Sequence, residues 1–268
     1  LRVFFTNNSL QFYVGLLRKI ILSCVQNIDA PKKGRECRLL VMISGQGTNM
    51  RAIVHRIRQQ NLPAALVAVV SSDPDAPGVA WARQQGFTIH VVAPAGFSTR
   101  RQWDMALAQV VAREKPDYIL LAGFMRVLAP AFVEQYAGRL VNIHPSLLPA
   151  FPGLRTHEHA LAAGVQWHGC TVHFVTPDLD SGPIIAQVAV FVHPDDTPRR
   201  LADRVRLAEH RLYPDVVTWL VQGRVSLNKS GRVDVADVAP RAYVALSSSD
   251  SPAQLKILRA GNESSTQE

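Results

Sequence analysis

Between positions 38 and 222 the chain alternates short apolar runs with stripes at helical spacing. Residues 38–43 (RLLVMI) form an apolar run with strand character, and 44–49 (SGQGTN) a turn of small residues. Residues 50–60 then carry Ile53, Val54 and Ile57 on one face, the period of a helix. The unit returns as a strand over 66–70, a polar turn at 71–74 and a helix over 78–85. A third strand is expected at 88–92. A helix follows at 99–114, with Trp103, Leu107, Val110 and Val111 as its apolar stripe, then a fourth strand at 118–122. In 140–144, Leu140, Val141 and Ile143 alternate with Asn142 and His144, the pattern of a half-exposed fifth strand. Pro145, Pro149 and Pro152 then keep the chain out of regular structure. A short helix at 156–164 precedes two strands, 170–175 and 184–192, spaced to pair as a long-looped hairpin. The last element is a helix over 197–222, with Leu201, Val205, Leu212 and Val216 facing the core and Pro214 kinking it.

Alternating strands and helices imply an α/β fold: an open, mostly parallel, twisted sheet of about seven strands flanked by helices. Right-handed crossovers follow from the chain's handedness. The flanks differ in composition. Residues 1–37 read as an N-terminal extension outside the domain, 38–225 as the catalytic domain, and 226–268 as a polar, Ser-rich C-terminal segment. Within the last, 233–246 has room for a short β segment and 247–268 is expected to be a disordered tail. Because the sequence opens on Leu1 in place of Met, a fragment or an extended reading of its gene is the expectation.

Composition narrows the partners. The chain has 268 residues and a formal charge of +8, which favours anionic partners, either nucleic acid or small phosphorylated and carboxylated substrates. Cys24, Cys37 and Cys170 are odd in number and far apart, against a disulfide framework or zinc site and in favour of a reducing cytoplasm. No apolar run approaches the ~20 residues of a membrane span. The nearest, 12–25, is interrupted by Arg18 and Lys19 and lacks a small-residue cleavage site.

Three stretches carry candidate chemistry. Asn142 and His144 sit two apart at a strand end, so they share a face where open α/β sheets bind ligands; a plain role in bonding the next turn is the alternative. Ser44 to Asn49 lies between a strand and a helix start, which suits a phosphate. It is not a full G-x-G-x-x-G, and Thr48 or Asn49 acting only as a helix cap is the competing reading. In 169–182 (GCTVHFVTPDLDSG), Asp178 and Asp180 are ordinary turn residues unless one reaches His144 across neighbouring strands. A carboxylate there favours the imidazolium and suits His144 to donate a proton. Asn142 would then meet an oxygen that gains negative charge. His157-Glu158-His159 lacks the i, i+4 spacing of a zinc site, so a metal role is not expected.

Together, I-S-G-x-G-[ST]-N at 43–49, A-G-F-M-R at 122–126, N-I-H-P-S-L-L-P at 142–149, H-F-V-T at 173–176 and L-D-x-G-P at 179–183 closely resemble the phosphoribosylglycinamide formyltransferases. These are folate-dependent enzymes of purine synthesis with a Rossmann-like fold. The resemblance runs from about Arg38 to Arg224. It implies transfer of the formyl group of 10-formyltetrahydrofolate, as co-substrate, to the amine of glycinamide ribonucleotide. It implies Asn142, His144 and Asp180 as the catalytic trio. Gly47, Thr48, Asn49 and Glu209 would hold the ribonucleotide. Arg100, Asn142 and the backbone around Met125, Arg126, Val127 and Leu128 would line the folate site. Thr48 stands where the family often has Ser. The resemblance further implies no metal, no nucleic acid or membrane partner, a cytoplasmic location, and a monomer or weak homodimer.

Two relatives compete. Formyltetrahydrofolate deformylase shares the trio but carries an N-terminal regulatory domain larger than 37 residues and has no use for a phosphate loop. Methionyl-tRNA formyltransferase fits the +8 charge but needs an RNA-binding barrel after the catalytic domain. A non-catalytic nucleotide-binding module is a third reading, disfavoured because all three trio positions are filled.

Overall fold

A computed structural model describes residues 35–228, 231–237 and 242–245. The expectations for residues 1–34 and for the tail beyond 246 lie outside the described residues.

The first strand, β1 (Cys37–Ile43), begins one residue before the apolar run. Its alternate side chains feed two separate cores. Leu39, Val41 and Ile43 join one cluster, with Met50, Ile53 and Leu212. Leu40 and Met42 join the other, with Trp103, Leu107 and Phe132. The stretch from Leu39 to Ile43, apolar at every position, is therefore covered on both faces, the condition that makes a parallel strand an unbroken apolar run.

The helices supply the two covers. Facing the first cluster are α1 (Thr48–Gln59), α2 (Pro77–Gln84), the short α5 (Thr156–Ala162) and the long α6 (Pro198–Val221). Facing the second are α3 (Arg100–Glu114) and α4 (Pro130–Gln135). Thr99 starts α3 with a capping box, its hydroxyl accepting the Gln102 N–H while the Gln102 side chain accepts its own N–H. Pro214 lies inside α6, which continues through it to Val221, and the Thr218 hydroxyl donates to the Pro214 carbonyl at 2.9 Å.

The remaining strands of the sheet are β2 (Ala64–Ser71), β3 (Ile89–Val91), β4 (Tyr118–Leu121), β5 (Leu140–His144), β6 (Trp167–Phe174) and β7 (Ile184–Phe191). Two further short strands, β8 (Val225–Leu227) and β9 (Val233–Val235), form a separate hairpin. The C-terminal β10 (Ala242–Ala245) joins the main sheet beside β7 and makes it eight-stranded, one more than the sequence pattern predicts. The order is β10-β7-β6-β5-β4-β1-β2-β3. Within this sheet, among the described residues, only the β5–β6 and β6–β7 pairings are antiparallel. From β1 the chain winds outward to β2 and β3, then crosses back to β4 on the other side. The carboxyl ends of β1 and β4 thus flank a topological switch point, where such sheets bind ligands.

Candidate active site

Three loops meet along that edge. The loop after β1 is joined to the loop after β4 by Ser44, whose N–H donates to the Gly123 carbonyl at 3.1 Å and whose hydroxyl accepts the Met125 N–H at 2.8 Å. The strand β5 lies next to β4, so the loop after His144 is the third. Met42, Leu121, Asn142 and His173 occupy one row across β1, β4, β5 and β6. The buried phenol of Tyr213, on α6, donates to the Val141 carbonyl at 2.9 Å and holds the end of β5.

His144 is 5 % exposed. Its Nε2 lies 3.0 Å from the Phe151 carbonyl. A carbonyl only accepts, so Nε2 carries a proton. Nδ1 then faces Asp180, 3.5 Å from Oδ2. That is an ion-pair distance and longer than a good hydrogen bond, so Asp180 does not saturate the Nδ1 edge. The same Oδ2 accepts the Gly153 N–H at 2.8 Å. Asp180 itself has φ 49°, the left-handed region. Gly182 fixes its loop from the other side: a Cβ there would lie 1.8 Å from the Phe174 carbonyl, so only glycine lets the two backbones approach. Of the two turn carboxylates, Asp180 reaches the histidine, while Asp178 is exposed.

Asn142 lies 3.2 Å, through Nδ2, from Nε2 of His173. His173 Nδ1 is 2.9 Å from the Phe174 carbonyl and must be the donor there. Burial pushes the His173 pKa down, against the opposing pull of the carbonyl and Asp180. The neutral ring therefore presents a lone pair at Nε2, and Asn142 meets it with an N–H. This leaves the second Nδ2 proton of Asn142 for a ligand. Sequence reasoning quoted His173 inside a motif and gave it no role. The backbone groups of Phe151 and Gly153 were equally missed.

The glycine turn does not follow the competing helix-cap reading. Neither Thr48 nor Asn49 caps α1; the N-cap is Gly47, left-handed at φ 66°, with no side-chain cap. Asn49 instead reaches across to α6, where Nδ2 donates to Oε2 of Glu209 at 2.8 Å. Burial raises the Glu209 pKa, and the Asn49 amide opposes this. Two predicted ligand residues, far apart in sequence, are thus brought into contact beside a helix N-terminus with free N–H groups.

Arg100 packs on the loop after β4. It pairs with Asp104 at 2.8 Å and donates to the Val127 carbonyl. Met125 and Val127 are each 66 % exposed and Arg126 is exposed, whereas Leu128 is buried in the second core. His157 does not pair with His159: its Nδ1 lies 3.2 Å from Nε2 of His168, and Glu158 lies 4.0 Å from Arg155. Burial pushes the His168 pKa down to about 4. The Cys170 thiol is pushed well up by burial and by Glu209, so it stays protonated and supplies no nucleophile.

An amide donor, an imidazole and a carboxylate converge at a strand end beside a phosphate-sized loop, which suits acyl transfer between two bound substrates. Comparison with known proteins decides the family, because the formyl transferase pattern matches residues 37–217. The chain belongs to the formyl transferase family. It is 42% identical over 208 residues to the phosphoribosylglycinamide formyltransferase of Escherichia coli (strain K12), covering 77% of this chain and 98% of that protein. The structure of phosphoribosylglycinamide formyltransferase from Coxiella burnetii superposes with a TM-score of 0.71 at 43% identity, over 75% of this chain and 94% of that one. A formyltetrahydrofolate deformylase from Pseudomonas syringae also superposes at 0.71, at 25% identity, over 76% of this chain and 67% of that one. This formyl transferase therefore resembles the deformylase in fold and the glycinamide ribonucleotide enzymes in both fold and sequence.

Proposed function

We infer that the chain transfers the formyl group of 10-formyltetrahydrofolate to the amine of glycinamide ribonucleotide, giving formylglycinamide ribonucleotide and tetrahydrofolate in purine biosynthesis. Its near full-length similarity to phosphoribosylglycinamide formyltransferase carries the reading.

The side chains fit the chemistry. The substrate amine is the nucleophile, so no serine or thiolate is required. As it adds to the formyl carbon, the carbonyl oxygen becomes an oxyanion. The free N–H of Asn142 and the Nδ1 edge of His144 meet it. Asp180 holds the imidazolium charge, and the amine's proton passes through water to N10 of the folate as the bond between the formyl carbon and N10 breaks and tetrahydrofolate leaves. The phosphate sits at the N-terminus of α1 on Gly47, Thr48 and Asn49, and Glu209 contacts the ribose or glycinamide part. Arg100, with the exposed Met125, Arg126 and Val127 and the backbone of Leu128, lines the folate side. Glycinamide ribonucleotide and the formyl-folate are the partners, with no nucleic acid or metal needed. The location is cytoplasmic and the assembly a monomer or weak homodimer. Among the described residues no helix is long and apolar enough to cross a membrane.

The decisive experiment is tetrahydrofolate release with and without glycinamide ribonucleotide. Release that needs the ribonucleotide supports the transferase. Equal release without it would make the chain a deformylase.

A further inference from the structure

Across β5, β6 and β7, His144 stands opposite Thr171 and Thr171 opposite Gln187, one row of side chains on one sheet face. Thr171 and Gln187 have no place in the transfer chemistry. Their donor protons are nonetheless all engaged, and the bonds converge on one loop. The Thr171 hydroxyl donates to the Ser146 carbonyl at 2.7 Å and accepts the Leu148 N–H at 3.0 Å. Its remaining lone pair accepts from Gln187 Nε2 at 2.9 Å. The second Nε2 proton of Gln187 goes to the Leu148 carbonyl at 2.9 Å. The Ser146 hydroxyl donates to the Ala150 carbonyl at 2.6 Å, and the Thr156 hydroxyl to the Pro145 carbonyl at 2.7 Å.

This loop is irregular and proline-rich, so its carbonyls find no ladder partners and side chains must satisfy them. The loop returns the favour at its far end. Its Phe151 carbonyl takes the Nε2 proton of His144, and its Gly153 N–H takes Oδ2 of Asp180.

We propose that Thr171 and Gln187 are positioning residues for the transfer reaction: they hold the 146–153 loop in the one path that aims His144 at Asp180. The proposal rests on the reading of His144 and Asp180 as catalytic. Thr171 is 0 % exposed, as is Ser146. Removing the hydroxyl leaves the Ser146 carbonyl, the Leu148 N–H and one Gln187 N–H unpaired, and the loop must shift to find other partners. A shift of the Phe151 carbonyl releases Nε2 and turns the ring. Misplacement of a reacting group by about 1 Å costs ~10²-fold in rate.

The test uses the full chain and both substrates, with kcat, both KM values and the pH–rate profile for Thr171→Val, Thr171→Ser, Gln187→Met and His144→Ala. Thr171→Val and Gln187→Met are expected to lose about 10–100-fold in kcat. Their KM values should hold, with a displaced pH–rate profile. Thr171→Ser, which keeps the hydroxyl, should restore both. If Thr171→Val does not fold, Gln187→Met, which leaves the Thr171 bonds to the loop in place, decides the matter alone. Variants that melt earlier but keep kcat and the pH profile would make the row merely structural and overturn the proposal. A His144→Ala enzyme with full activity would instead overturn the catalytic reading beneath it.

Discussion

Nδ1 of His144 faces Oδ2 of Asp180 at 3.5 Å, and that oxygen is already held by the Gly153 N–H. The carboxylate is thereby fixed while the imidazole edge keeps capacity for a substrate oxygen. Asp180→Asn keeps an acceptor for Gly153 and removes the charge. A kcat loss of about 10²–10³ is expected, with much smaller changes in KM. His144→Ala should be at least as damaging, and the double variant little worse than the worse single one, because such groups act as a unit. Rate effects that simply multiply would separate Asp180 from the proton.

Glu209 and Asn49 bind each other between α6 and α1. Glu209→Gln preserves the size and an acceptor for Asn49 but not the charge. KM for glycinamide ribonucleotide should rise about tenfold, the worth of a charge-assisted hydrogen bond, with KM for the folate unchanged. A rise in both would argue that the pair only clamps the two helices.

Gly47 has a structural duty besides any phosphate contact. At φ 66° a Cβ is strained, and it would lie 2.9 Å from Cε of Met50 and 3.1 Å from Cα of Gly78. Gly47→Ala should therefore cost about 1–2 kcal/mol in urea unfolding before any ligand is added. Gly45→Ala, with nothing within 4 Å of the new Cβ, is the control and should be far milder. Equal losses would show that the turn is not strained at Gly47.

His168 makes stability depend on acid. Its folded pKa of about 4 lies below the ordinary 6.5, so the unfolded chain takes up the proton first. The contribution is complete above pH 6.5 and is lost as pH falls through about 4. That difference corresponds to about 3 kcal/mol. Urea unfolding of wild type and His168→Gln at neutral and acidic pH measures it. The variant should show the flatter pH dependence.

The start of the folded unit is also testable. Cys37 is buried at the head of β1, and Arg35 holds Asp117 through two hydrogen bonds, at 2.8 and 2.5 Å. A chain beginning at Arg35 is expected to match the full chain in melting temperature and kcat. One beginning at Arg38 should lose the pair and the first strand residue, and melt at a lower temperature. Identical melting of the two would make Arg35 and Cys37 dispensable.

The alternation of apolar runs with helical stripes was sufficient for the parallel sheet, because a strand covered on both faces must be apolar throughout. The break at Pro145 marked where β5 ends, and a strand end in such a sheet is a ligand edge, so Asn142 and His144 were legible as a pair. Pattern alone left Asp180 as one of two turn carboxylates; the family resemblance singled it out, and the fold puts it beside His144. Its left-handed backbone and the Gly153 N–H are long-range facts that no local pattern encodes. The same holds for His173, whose neutral ring orients Asn142 only because burial disfavours its charge. For Asn49 the residues left a ligand role and a helix cap both open, and folding gave it Glu209, 160 positions away, as its partner. Thr171 and Gln187 looked like ordinary strand residues. Only the register of three strands lines them up with His144, and only an irregular loop with unsatisfied carbonyls gives their polar atoms work. Periodicity reports which faces are buried. The partners of polar groups at a site are set by which distant backbone atoms the completed fold leaves within reach.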